Sequence, residues 1–142
     1  MSAMLTSPTD PPAAAVPRKP PRRWRDNFRE AFRGVKLGVR GHSSFAVHFF
    51  AAALVLAAAL ALQCDLTQWC VLVGCIGLVL TTELVNSAIE TLFRGLPDEV
   101  KDRVWPCLDI SASAVLLTSV TASVVGLIIF LPKLPNLATW LP

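Results

Sequence analysis

The chain has 142 residues, of which 54% are hydrophobic and 16% charged, and its mean hydropathy is +0.55. Water-soluble domains carry about 45–50% apolar and about 25% charged residues, so this composition excludes a disordered chain, a disulfide-rich secreted module and an ordinary soluble enzyme. The net charge of +3 conceals an asymmetry, because nine of the 13 Lys and Arg lie between Arg18 and Arg40. A basic block that runs directly into lipid-compatible sequence fits an anionic membrane surface better than nucleic acid.

Residues 1–21 hold six of the eleven prolines. They cannot bury enough apolar surface to offset their ordering entropy, and they read as a disordered tail. No apolar core occurs within the first 30 residues, so the start of the chain does not read as a secretory leader. The domain is expected over residues 22–131.

From 24 to 39 a helical period sets in. Trp24, Phe28, Phe32, Val35 and Val39 recur at spacings of three and four, while Arg25, Arg29, Arg33, Lys36 and Arg40 fill the other face. This pattern predicts a basic amphipathic helix lying in the membrane interface. Gly34, Gly38 and Gly41 weaken it and are expected to mark the bend toward the bilayer.

Three apolar segments follow, over about 44–62, 67–93 and 107–131, each long enough to cross about 30 Å of hydrocarbon. The first holds one strongly polar side chain, His48. The first connection carries no positive charge, and the second carries Arg94, Lys101 and Arg103. Lys and Arg counted over short loops place the N-terminus and the second connection in the cytoplasm and the tail 132–142 outside. The fold class read here is an all-α membrane protein with one surface helix and three spans. Cys64, Cys70, Cys75 and Cys107 contain no C-x-x-C pair and no metal-ligand spacing, so they are assigned no chemistry.

The informative stretch is Thr81-Thr82-Glu83-Leu84-Val85-Asn86-Ser87-Ala88-Ile89-Glu90. An acidic residue at the centre of a span costs about 2.5–3.5 kcal/mol to insert, and nothing in folding requires two of them. Glu83, Asn86 and Glu90 stand at i, i+3 and i+7, which makes one polar stripe about 10 Å long. Asp109 begins the third span at a comparable depth and is expected to join the stripe. Such carboxylates beside Arg94, Lys101 and Arg103 suit a divalent cation that carries phosphates. A purely structural role, with polar side chains joining helices, accounts less well for two glutamates on one stripe. No phosphate-binding glycine loop of the familiar soluble folds is present, so a bound nucleotide would be held by side chains at the membrane surface.

Glu83-Leu-Val-Asn86-Ser87-Ala88-Ile89-Glu90 closely resembles the signature of the small prokaryotic lipid kinases, the diacylglycerol kinase and undecaprenol kinase family. Phe32-Arg33-Gly34-Val35-Lys36, Phe45 at the start of the first span, and Leu108-Asp109-Ile110-Ser111-Ala112-Ser113-Ala114-Val115 extend the resemblance over roughly 23–131. The resemblance implies a homotrimer in the bacterial inner membrane, with composite sites near the cytoplasmic interface. There the γ-phosphoryl group of ATP passes to the hydroxyl of a membrane lipid, with Mg²⁺ as the metal.

By position, Glu83 matches the family's general base and Glu90 its metal-binding glutamate. Asn86, Glu90, Asp109, Arg94 and Leu108 fall at nucleotide positions, and Arg23, Glu83 and Ala112 at lipid positions. Three residues depart from the pattern. His42 stands where a second metal-binding glutamate is usual, Arg94 where the motif ends in aspartate, and Leu108 where a lysine precedes the aspartate. Arg94 gains a positive charge where Leu108 loses one, which points to relocation of a phosphate-facing charge. Imidazole suits softer ions than Mg²⁺, so His42 implies a metal held mainly by Glu90 or an altered metal preference. A relative that kept the fold and lost turnover, serving as a lipid-binding or assembly protein, is the alternative reading. An ion-conducting oligomer fits less well, because no polar path continues outward through the second span.

Overall fold

The computed structural model describes residues 24–40 and 44–135. Its helices are α1 (Trp24–Arg40), α2 (Ser44–Ala61), α3 (Leu66–Arg94), α4 (Asp98–Val104) and α5 (Pro106–Phe130), followed by a 3₁₀ turn over Leu131–Lys133. No strand occurs among the described residues. Three helical stretches, Ser44–Ala61, Leu66–Arg94 and Pro106–Lys133, are long and apolar enough to cross a membrane. The expected tail 1–21, residues 136–142 of the expected tail 132–142, and Arg23, Gly41 and His42 lie outside the described residues.

α1 buries none of its side chains, and Trp24, Phe28 and Phe32 are exposed. Trp24 and Phe28 meet edge to face with ring centroids 4.7 Å apart. The helix runs unbroken through Gly34 and Gly38, so neither of these glycines marks a bend. Gly38 has a different use: a Cβ at this position would run into the Leu84 side chain. Its missing side chain lets α1 lie directly against α3.

The turn after α2 is compact. Gln63 adopts φ 47°, a left-handed conformation that a non-glycine residue pays to hold, and the Cys64 amide donates to the Ala59 carbonyl at 3.0 Å. Asp65 then caps α3 reciprocally. Its carboxylate accepts from the Gln68 amide at 3.0 Å, and its own amide donates to Gln68 Oε1 at 3.0 Å. Two of the donors that every helix start leaves open are thereby satisfied. On the same side of the bundle, Lys133 Nζ reaches the Gln63 carbonyl at 3.4 Å.

The second connection, read from the sequence only for its positive charge, contains α4. Its order follows from local chemistry. Pro97 precedes the helix, Asp98 and Glu99 occupy the first turn, and Lys101 and Arg103 the last, so both ends match the helix dipole. Lys101 Nζ pairs with Asp98 at 2.8 Å, which holds that exposed carboxyl below its usual range, the hydrogen bond first and the charge second. Trp105 stacks edge to face on Phe93, centroids 5.5 Å apart, and Pro106 opens α5 where its missing N–H costs nothing.

The main packing axis is α3 against α5, with α2 resting more lightly on α3. Between α3 and α5 the helices exchange hydroxyl contacts, Thr82 Oγ1 to Thr118 Oγ1 at 3.0 Å. This is how helices associate where lipid removes the hydrophobic drive between them. The apolar surface of α5 is almost entirely exposed, as a lipid-facing or subunit-facing helix requires.

Candidate functional site

The polar stripe lies in the part of α3 nearest α1, and its residues turn to two different neighbours. Glu83 faces α2. It is 2% exposed, Ser44 Oγ donates to its Oε1, and His48 Nε2 stands 3.6 Å from its Oε2. Ser44 and His48 are four residues apart, so both project from one face of α2. A carboxylate this buried needs partners, and α2 supplies them.

Asn86 faces α5. Its Nδ2 donates to Glu90 Oε1 at 2.9 Å, and its Oδ1 lies 2.7 Å from Ser111 Oγ. That hydroxyl also stands 2.9 Å from the Leu108 carbonyl. Asn86 and Ser111 are both buried. Glu90 is half-open, and Arg94 approaches its Oε2 at 3.4 Å. The acid at the end of the stripe thus already has an amide on one oxygen and a guanidinium near the other. Ser87 is 1% exposed, and its hydroxyl has no hydrogen-bond partner among the described residues.

Asp109 does not join this cluster, contrary to the expectation from its depth. Ser111 is the α5 residue turned toward Asn86, and a residue two positions away lies about 200° around the helix at 3.6 residues per turn. Asp109 is accordingly exposed, as is Ala112, while Leu108 is half-buried. Among the described residues no three His, Cys, Asp or Glu come together closely enough to hold a metal ion. Arg23 and His42 lie outside the described residues. Of the basic side chains expected beside the acids, Arg94 is at the site and Lys101 is engaged by Asp98.

Three residues of the cluster were not singled out from the sequence as part of a site: Ser44, His48 and Ser111. The signal for the first two was present, since the one strongly polar side chain of the first span stands four residues after a serine. Ser111 had no such signal, because serine is common in spans.

Beyond His48 a cleft of about 400 Å³ opens between α2, α3 and α5, lined among others by Ala51, Val55, Leu80, Ser119 and Phe130. His48 and Leu80 form its end nearest Glu83. On the other side of the α3–α5 contact a second groove, also about 400 Å³, holds Thr82, Asn86, Cys107 and Ser111.

Comparison with known proteins identifies the family. The family profile described as prokaryotic diacylglycerol kinase matches residues 29–130. The undecaprenol kinase of Bacillus subtilis (strain 168) is 31% identical over 112 residues, which cover 79% of this chain and 91% of that protein. No solved structure matches the chain. A helical chain with three membrane-spanning helices, matched over most of its length by this profile and this relative, belongs to the prokaryotic diacylglycerol kinase family of membrane lipid kinases.

Proposed function

We propose that the protein transfers the γ-phosphoryl group of ATP to the hydroxyl of a membrane lipid. The reaction takes place at the cytoplasmic face of the inner membrane, on the side where α1 and α4 lie. The carrying observation is Glu83, a carboxylate 2% exposed inside a spanning helix, hydrogen-bonded by Ser44 and flanked by His48 of α2. A group so costly to bury is retained for chemistry, and the chemistry a lipid kinase needs there is a base.

As the lipid oxygen attacks the γ-phosphorus, its O–H bond breaks and the proton passes to Glu83. The electron pair of the broken P–O bond leaves on the bridging oxygen of ADP. The remainder is positioning and charge neutralisation. Glu90 offers a single, half-open carboxylate, which fits a Mg²⁺ ion arriving on phosphates, since Mg²⁺ is commonly held by one or two carboxylates plus the nucleotide. When bound, that ion neutralises charge on the transferring phosphoryl group. Asn86 orients Glu90, Arg94 faces the phosphates, and Leu108 and Asp109 border the nucleotide.

Asp109 and Ala112 face away from the cluster of their own chain. A homotrimer, in which a neighbouring copy receives them, gives these residues a use and covers the exposed face of α5. Arg23, Glu83 and Ala112 contact the lipid. Undecaprenol is the preferred acceptor, supported by the name of the Bacillus relative, with diacylglycerol as the second candidate. A second reading, a relative that binds lipid without turnover, is favoured by His42, Arg94 and Leu108 standing in place of charged residues usual for the family.

The test is transfer of labelled phosphate from ATP into undecaprenol and diacylglycerol, offered separately in mixed micelles, with Glu83→Gln as control. Label that enters one lipid and vanishes with Glu83→Gln is the expected result. No label in either lipid across several divalent metals, from a correctly assembled oligomer, overturns the reading in favour of the non-catalytic relative.

A further inference from the structure

We infer that His48 is a positioning residue for the phosphoryl transfer, acting through Glu83. The inference rests on the function proposed above. Among the described residues the polar groups that meet the Glu83 carboxylate are Ser44 and His48, both from α2. No Lys or Arg among the described residues pairs with it. α3 places its next acid two turns away, at Glu90, and α5 turns its one acid, Asp109, outward. α1 reaches α3 near Leu84 through Gly38.

The two contacts differ in kind. Ser44 donates a hydrogen bond to Oε1 and fixes that oxygen. The imidazole stands 3.6 Å from Oε2, beyond hydrogen-bond distance, so its polar edge flanks that oxygen without occupying it. Oε2 therefore keeps a free lone pair for a substrate proton while its direction is held. His48 also lines the end of the apolar cleft, so its ring stands between the carboxylate and the space a hydrocarbon chain can occupy. A histidine kept only for packing would be matched by any apolar residue in a span, without the insertion cost of a polar ring. Its position over Oε2 accounts for that cost.

The experiment measures phosphate transfer for the wild-type protein, His48→Ala, His48→Phe and Glu83→Gln, each checked for helix content and oligomeric state. His48→Ala is expected to lower kcat about tenfold or more, a part of the 10²–10⁴-fold worth of a general base. KM for ATP should stay within about twofold, because His48 touches nothing in the nucleotide region. Added imidazole should restore part of kcat to His48→Ala and nothing to Glu83→Gln. His48→Phe fills the volume without an N–H, so it should show the same kcat loss while packing is kept. If His48→Ala fails to assemble, His48→Phe carries the test alone. Wild-type kcat in a folded His48→Phe protein, or a His48→Ala loss that falls on KM for ATP or resists imidazole, overturns the inference and leaves the lipid-kinase reading intact. A wild-type protein with no transfer at all would instead overturn that reading, and this inference with it.

Discussion

Ser111 Oγ lies 2.7 Å from Asn86 Oδ1, and this contact, with the Glu90 carboxylate on the other end of the amide, fixes which way the asparagine points. With its oxygen taken by α5, the amide can offer only its nitrogen to Glu90, at 2.9 Å. Ser111→Ala leaves a buried oxygen without its donor, a loss of about 1 kcal/mol, judged by interhelical hydrogen bonds in membranes and by unpaired buried groups. It also removes the α5 tether that steadies the amide against Glu90. A lower midpoint of unfolding in detergent and a raised KM for ATP are expected, with Ser111→Thr restoring both. A Ser111→Ala protein with wild-type stability and kinetics would remove this contact from the site.

Glu90 is the residue on which metal dependence should fall. Glu90→Gln keeps the shape and an acceptor but loses the charge, and the magnesium concentration for half-maximal activity should rise about tenfold or more. A magnesium titration at fixed ATP reads this directly. With His42 in place of a carboxylate, activity across Mg²⁺, Mn²⁺ and Zn²⁺ should be shifted from a simple magnesium optimum. A plain magnesium optimum would count against any part for His42 in metal choice.

Arg94 ends the stripe and approaches Glu90 Oε2 at 3.4 Å. If it carries the phosphate-facing charge, Arg94→Ala raises KM for ATP severalfold, about three- to tenfold for one charge-assisted contact, and leaves KM for the lipid alone. An unchanged KM for ATP assigns Arg94 to Glu90 only.

The two glycines of α1 should respond differently. A Cβ on Gly34 meets nothing, whereas one on Gly38 meets Leu84. Gly34→Ala should therefore raise stability by about 0.5–1 kcal/mol through helix propensity. Gly38→Ile should wedge α1 off α3 and lower stability. Circular dichroism melts in micelles separate the two, and equal shifts would contradict direct packing of α1 on α3.

The three long apolar helices and the helix over 24–40 were legible because each rests on periodicity or on an uninterrupted apolar run, which survive whatever the neighbours do. Glu83, Asn86 and Glu90 were legible for the opposite reason: each breaks such a run at a cost. α4 was hidden because seven residues, five of them charged, are too few to show an apolar period, and what orders them is the match of acids and bases to the two helix ends together with the Trp105–Phe93 contact that follows. The outward turn of Asp109 was hidden too. Depth along a helix can be read from sequence position, but rotation about its axis is set by packing, here by Ser111 meeting Asn86. Ser44 and His48 were visible as a spacing, and only the approach of α3 gave that spacing a meaning.

The turn between α2 and α3 has a consequence for how the protein is made. Residues 62–65 leave no slack between the helix that carries Glu83 and the helix that carries its partners. Released alone from the insertion machinery, α3 would present a bare carboxylate and an amide to lipid. Delivered together with α2 as a tight hairpin, it arrives with Ser44 and His48 already facing the acid. With the cap at Asp65 and the left-handed turn at Gln63 keeping that hairpin short, a lengthened loop is expected to be felt first in insertion yield and only afterwards in turnover.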